Sequence, residues 1–142
     1  MAQAKILIGV MGVDQHENGA IAVTRFLKEA QMEVSYAGLF NTSETLLEKA
    51  LNEDVDVIGI SCHSWEYIHY LPDLMERLAA AERQVPVVVG GSVLTARDLE
   101  ELTKLGVAGV FPAGSQPDDM INAIRDLAAE RVRERTEAAL AG

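Results

Sequence analysis

Among its 142 residues the chain has a single cysteine, Cys62, so no internal disulfide can staple it. Its stability must come from a packed core, for which a chain of this length suffices. Basic residues are also scarce: 12 Lys and Arg stand against 22 Asp and Glu, a formal net charge of −10. Such a surface repels nucleic-acid backbones and anionic membranes, and neither is expected as a partner. There is no apolar run of about 20 residues and no secretory signal pattern, which makes the cytoplasm the expected location. Linkers, repeats and low-complexity tracts are missing too. With 49% hydrophobic and 24% charged residues, the composition is that of one ordinary globular domain.

What the chain does have is alternation. Residues 5–11, 34–37, 55–61, 85–89 and 107–111 are short runs rich in β-branched side chains, and they read as strands. Four are almost continuously apolar, as in a parallel sheet covered on both faces, while the second is mixed and suits an edge. Between and after them, apolar residues recur at helical spacing: Val23, Phe26, Leu27 and Ala30; Leu46, Leu47, Ala50 and Leu51; Leu71, Leu74, Met75 and Leu78; Leu99, Leu102 and Leu105; Ile121, Ile124 and Leu127. Asn41 with Glu44 has the spacing of a capping box, and Gly106 stands where a helix ends on a left-handed residue. Pro72 is expected in the first turn of the third helix, with residues 62–71 as a loop or frayed start. The fold class is therefore α/β, a doubly wound, flavodoxin-like (Rossmann-like) domain over residues 1–128. Its five-stranded parallel sheet should have the order 2-1-3-4-5, flanked by about five helices. Residues 129–142, with Glu130, Arg131, Arg133, Glu134, Arg135 and Glu137, read as a charged, solvated extension of the last helix.

In such a sheet a ligand sits beyond the carboxyl ends of the strands where the winding reverses, here between the first and third strands. That selects the loops 12–19 and 61–67, and brings Asp14, His16, Ser61 and His63 together. Asp14 stands two residues before His16, a spacing at which the carboxylate can accept one imidazole N–H and leave the other nitrogen free for a metal. Equally, Asp14 can cap the first helix while His16 is a solvated loop residue; spacing alone does not choose. Gly19, Gly90 and Gly91 remove side chains where a large ligand needs the backbone close, although turns use glycine for their own reasons.

The segment Asp14-Gln15-His16-Glu17-Asn18-Gly19 resembles the D-x-H-x-x-G motif of the cobalamin-binding domains of adenosylcobalamin-dependent mutases and cobalamin-dependent methionine synthases. Ser61 ending the third strand and Gly90-Gly91 ending the fourth extend the resemblance over about residues 4–128. Gly38-Leu39-Phe40-Asn41-Thr42, the run 52–61 and Phe111-Pro112-Ala113-Gly114-Ser115 look most like the small subunits or C-terminal domains of acyl-CoA mutases of the methylmalonyl- and isobutyryl-CoA type.

The resemblance implies a base-off cofactor with His16 as the axial ligand to cobalt and Asp14 orienting it. The displaced nucleotide tail would enter a cleft lined by Gly19, Ser61, Gly90 and Gly91, with His63 and Ser115 as further cofactor-binding candidates. It also implies adenosylcobalamin as the cofactor and a separate large (β/α)8-barrel mutase subunit as the partner that binds substrate, so that this chain alone has no turnover. Two places depart from the pattern. Val10 stands where many acyl-CoA mutases have lysine, and His63 replaces a leucine, with Trp65 following where small residues are usual. Those large side chains could narrow the tail cleft, stack on its base or face a partner.

Other readings are a corrinoid carrier for methyl transfer or cobalamin handling, with methylcobalamin, and a binding domain that keeps the fold without cobalamin. The carrier normally has a helical cap domain before the motif, whereas here the first strand begins at residue 5. A mononuclear zinc or iron site from Asp14, His16 and His63 is a minor reading.

Overall fold

The computed structural model describes residues 3–12, 17–62, 64–65, 67–82 and 84–141. Strands and helices alternate as β1 (Lys5–Val10), α1 (Asn18–Glu29), β2 (Glu33–Tyr36), α2 (Ser43–Glu53), β3 (Val57–Ser61), α3 (Tyr67–Ala80), β4 (Val87–Gly90), α4 (Ala96–Leu105), β5 (Gly109–Phe111) and α5 (Pro117–Ala141). All strand pairs are parallel, in the order β2-β1-β3-β4-β5. The mixed strand β2 lies at an edge, where one row of backbone groups needs no ladder partner. No helix among the described residues is long and apolar enough to cross a membrane.

Three strands begin later than the apolar runs suggest, and in two of them, β3 and β5, the first apolar residue of the run belongs to the preceding helix stop. Asp54 and Gly106 take left-handed backbone at φ 49° and 105°. The next amides then reach back into the helix, Val55 to the Ala50 carbonyl at 3.2 Å and Val107 to the Leu102 carbonyl at 3.1 Å. An apolar side chain after a left-handed cap packs back on the helix it ends, so Val55 and Val107 are buried before any ladder starts. Val85, also buried, likewise precedes its strand.

Two helix starts also differ from expectation. The box at α2 is Thr42 with Thr45, not Asn41 with Glu44: the Thr45 amide donates to Thr42 Oγ1 at 3.2 Å and the Thr42 amide to Thr45 Oγ1 at 2.9 Å. Asn41 is buried and occupied elsewhere, its Nδ2 donating to the Gly38 carbonyl at 2.8 Å and the Val10 carbonyl at 3.2 Å. That amide ties the loop after β2 to the end of β1. Helix α3 starts at Tyr67, which leaves Pro72 in its second turn rather than its first. The missing N–H costs one helical bond, offset because Tyr67 continues the buried stripe of Leu71, Leu74 and Leu78 one turn upstream.

Side chains alternate across the sheet. One face, with Leu7, Ile58, Ile60, Val87 and Val89, packs under α2, α3 and α4. The other, with Ile6, Ile8, Val10, Val57 and Val88, packs under α1 and α5.

Helix α5 runs unbroken to Ala141, and its last turns are not merely solvated. Val132 packs against the α1-side core, and Arg131 and Arg135 turn inward to Asp56, which is fully buried at the start of β3. Arg135 grips both carboxylate oxygens, Arg131 Nε donates to Oδ1 at 3.1 Å, and the Lys5 amide donates to Oδ2 at 2.8 Å. Burial by itself pushes the Asp56 carboxyl up, but Arg135, the Lys5 amide and Arg131 together hold it below the ordinary carboxylate range. A depressed folded-state pKa means the stabilisation is complete above the unfolded value of about 3.9 and is lost as pH falls through the lower folded value. Asp56→Ala should therefore cost about 2–4 kcal/mol near neutral pH, less than a fully enclosed pair because both arginines are partly solvated. Urea titrations between about pH 3 and 7 should show wild type and variant converging in acid; a constant gap would contradict the linkage.

Candidate functional site

Beyond alternation, the α1–α5 face of the sheet is short of side-chain volume at its carboxyl end. On this face β3 presents Val57, then Gly59 and Ser61, and β4 presents Val88, then Gly90. A Cβ built on Gly59 would meet Ile8 Cδ1 at 2.6 Å, and one built on Gly90 would meet Phe111 at 3.4 Å, which places both on the face of Ile8 and Phe111. Three small residues on adjacent strands leave a gap that no neighbour fills.

That gap is a cavity of about 340 Å3 between the sheet, α1 and α5, within the range of about 300–1,000 Å3 usual for small-ligand sites. Gly59, Ser61 and Gly90 form its floor; Gly19, Ala20 and Val23 of α1 and Met120 and Ile124 of α5 form its walls. The loops 91–92 and 112–115 close the far side. Of the residues singled out from sequence, Gly19, Ser61, Gly90, Gly91 and Ser115 all line this one space. Asp14, His16 and His63 lie outside the described residues. Gly59, Ala20 and Met120 were missed. A glycine inside the apolar strand run 57–61 was the available signal for the first, since strand-interior glycine marks a close approach; Ala20 and Met120 carry no such signal.

The candidates do different work. Gly91 has φ 146°, and a Cβ there would fall 1.8 Å from the Cys62 carbonyl oxygen, so the crossing of two loops itself demands glycine. Gly90 meets no such obstruction. Ser115 donates its hydroxyl to the Pro112 carbonyl at 2.7 Å, closing the turn before α5 and leaving only its lone pairs for a ligand. Ser61 Oγ has no hydrogen-bond partner among the described residues and opens onto the cavity.

Around the switch point, Tyr36 at the end of β2 donates to Glu17 Oε2 at 3.0 Å. Burial, reinforced by the Glu17 carboxylate, pushes the phenol up to about 12, so it stays a donor over the whole working pH range. On the other loop, Trp65 is 57% exposed and absent from the cavity lining, with its ring 6.3 Å from that of Tyr67. It does not narrow the cavity. Tyr67 is buried and bonded to Asp98, which also accepts the Thr95 amide at 2.8 Å at the start of α4. Burial first, then Asp98, pushes the Tyr67 phenol up to about 12. Beside Trp65, Ser64 Oγ is buried without a hydrogen-bond partner, an expense of about 1–3 kcal/mol unless something supplies one. Among the described residues no cluster of three His, Cys, Asp or Glu side chains is placed to hold a metal ion.

The B12-binding domain family matches residues 4–122. The chain is 34% identical over 127 residues to the 2-hydroxyisobutanoyl-CoA mutase small subunit of Aquincola tertiaricarbonis, covering 89% of this chain and 93% of that protein. It is 36% identical over 139 residues to the pivalyl-CoA mutase small subunit of Xanthobacter autotrophicus, covering 94% and 93%. Among solved structures, a cobalamin-binding protein from Desulfitobacterium hafniense superposes with a TM-score of 0.77 at 15% identity, over 88% of this chain and 59% of that one, a likeness of fold.

Proposed function

The chain belongs to the B12-binding domain family, and from that premise we propose that it is the cofactor-carrying subunit of an adenosylcobalamin-dependent acyl-CoA mutase. The observation that carries the reading is the cavity floored by Gly59, Ser61 and Gly90, opening at the strand ends and lined by Gly19, the last residue of the D-x-H-x-x-G motif. Its mostly apolar walls suit a flat heterocyclic base, and Ser61 Oγ offers a polar contact for the sugar or phosphate of a nucleotide tail. The residues thus fit a cobalamin whose tail is withdrawn from the metal.

In this reading His16 would supply a nitrogen to the cobalt and Asp14 would orient it. Gly19, Ser61, Gly90, Gly91 and Ser115 would surround the tail, with His63 a further candidate to bind the cofactor. When bound, the cofactor supplies radical chemistry through its cobalt–carbon bond. This chain would hold that group, and a separate (β/α)8-barrel subunit would hold the acyl-CoA. The small subunits named above support that division. We place the protein in the cytoplasm, where a chain with one buried thiol and no disulfide is at home.

Electron paramagnetic resonance of the protein with cob(II)alamin tests the ligand. Wild type should show hyperfine splitting from one imidazole nitrogen, and His16→Ala should lose it while the far-UV circular dichroism is unchanged. A wild-type spectrum without that splitting overturns the assignment.

A further inference from the structure

Among the described residues no side chain caps the start of helix α1. Glu17 occupies its N-cap position at φ −102° and ψ −8°, yet its side chain makes no capping bond. A carboxylate at a helix N-terminus ordinarily turns toward the free amides, where charge and hydrogen bonding both favour it. Here it is drawn sideways to the edge strand, where Glu17 Oε2 accepts the Tyr36 hydroxyl at 3.0 Å. Tyr36 is itself held, since its backbone pairs with Ile8 in the ladder and its ring packs against the α1-side core. The bond therefore fastens the N-cap residue of α1 to a rigid strand. Glu17 directly follows His16 in the chain.

We propose that Tyr36 is a positioning residue for His16, the candidate cobalt ligand, acting through Glu17, the residue that follows it in the chain. The proposal rests on the cobalamin reading above and adds to it a strand residue outside the D-x-H-x-x-G motif. An axial ligand must be held close to its productive position, and the group that holds it acts through the residue next to it. With the bond present, the residue after His16 is tied to β2 as well as to α1; without it, the Ile21 amide on the Glu17 carbonyl at 2.9 Å is left to hold it.

The test uses the full chain loaded with cob(II)alamin and reads imidazole ligation by the nitrogen hyperfine splitting, with thermal melts of the unloaded protein alongside. Tyr36→Phe should shift the ratio of ligated to unligated imidazole about 2- to 10-fold toward unligated, the range the net contribution of one ordinary hydrogen bond supports. Glu17→Ala, which removes the acceptor and leaves the tyrosine, should do the same. Glu17→Gln, whose amide oxygen still accepts, should keep the wild-type spectrum. If wild type ligates and both Tyr36→Phe and Glu17→Ala retain its splitting, or if all three variants lose it in proportion to their melting temperature, the positioning role is wrong and the cobalamin reading stands. If wild type itself shows no imidazole ligation, both fall together.

Discussion

Gly91→Ala is expected to unfold much of the protein, while Gly90→Ala, one residue earlier, leaves its stability within about 1 kcal/mol. A Cβ at Gly91 would lie 1.8 Å from the Cys62 carbonyl oxygen and 2.6 Å from its carbonyl carbon, and the obstruction is backbone that cannot rotate away. The glycine also sits at φ 146°, which L side chains rarely adopt. Loop displacement plus backbone strain should exceed about 4 kcal/mol, a large part of the 5–15 kcal/mol that holds a domain of this size. At Gly90 the nearest atoms to an added Cβ are Phe111 Cβ and its carbonyl oxygen, both at 3.4 Å. Urea denaturation of the two variants checks the contrast, and equal losses would mean that the loops after β3 and β4 do not cross as closely as described.

Gly90→Leu carries the second large effect, and on binding rather than on folding. Its side chain would project from the cavity floor into the space between α1 and α5, where the proposed function puts the nucleotide tail. Cobalamin affinity should fall by about 100-fold or more, equivalent to at least ~2.7 kcal/mol. Cobinamide, a corrinoid without the tail, should bind variant and wild type alike. Equilibrium titrations followed by corrin absorbance separate the cases. Undiminished cobalamin binding would place the tail elsewhere, and an equal loss for cobinamide would point to general damage at the sheet edge.

These neighbouring glycines mark how far the residues could be read before the fold was known. Both stood out together as glycines at the end of the fourth strand, and both line the cavity. Their difference depends on what lies opposite: Cys62 of the neighbouring loop for one, the empty face beside Phe111 for the other. No local pattern encodes that distance. Gly59 is the converse case, a glycine visible in the strand run whose orientation toward α1 only the register with Ile8 and Val88 reveals. Asp56 was equally hidden. Its partners Arg131 and Arg135 lie 75 and 79 residues away, and at the level of sequence they belong to a charged tail that looks solvated.

The strand order, the helix faces and the two loops at the switch point followed from the sequence by itself, because alternating apolar runs with right-handed crossovers leave few sheets that bury both faces. The D-x-H-x-x-G motif of Asp14, His16 and Gly19 was likewise legible. Tertiary structure alone decided where space remains and what pins the ends. The missing volume over Gly59, Ser61 and Gly90 becomes a cavity only when α1 and α5 pack across it. The ends are held by Tyr36 on Glu17 and by Arg131 and Arg135 on Asp56. Volumes and contacts between residues far apart in the chain are properties of packing, and a sequence pattern carries only what neighbours three or four residues apart impose on one another.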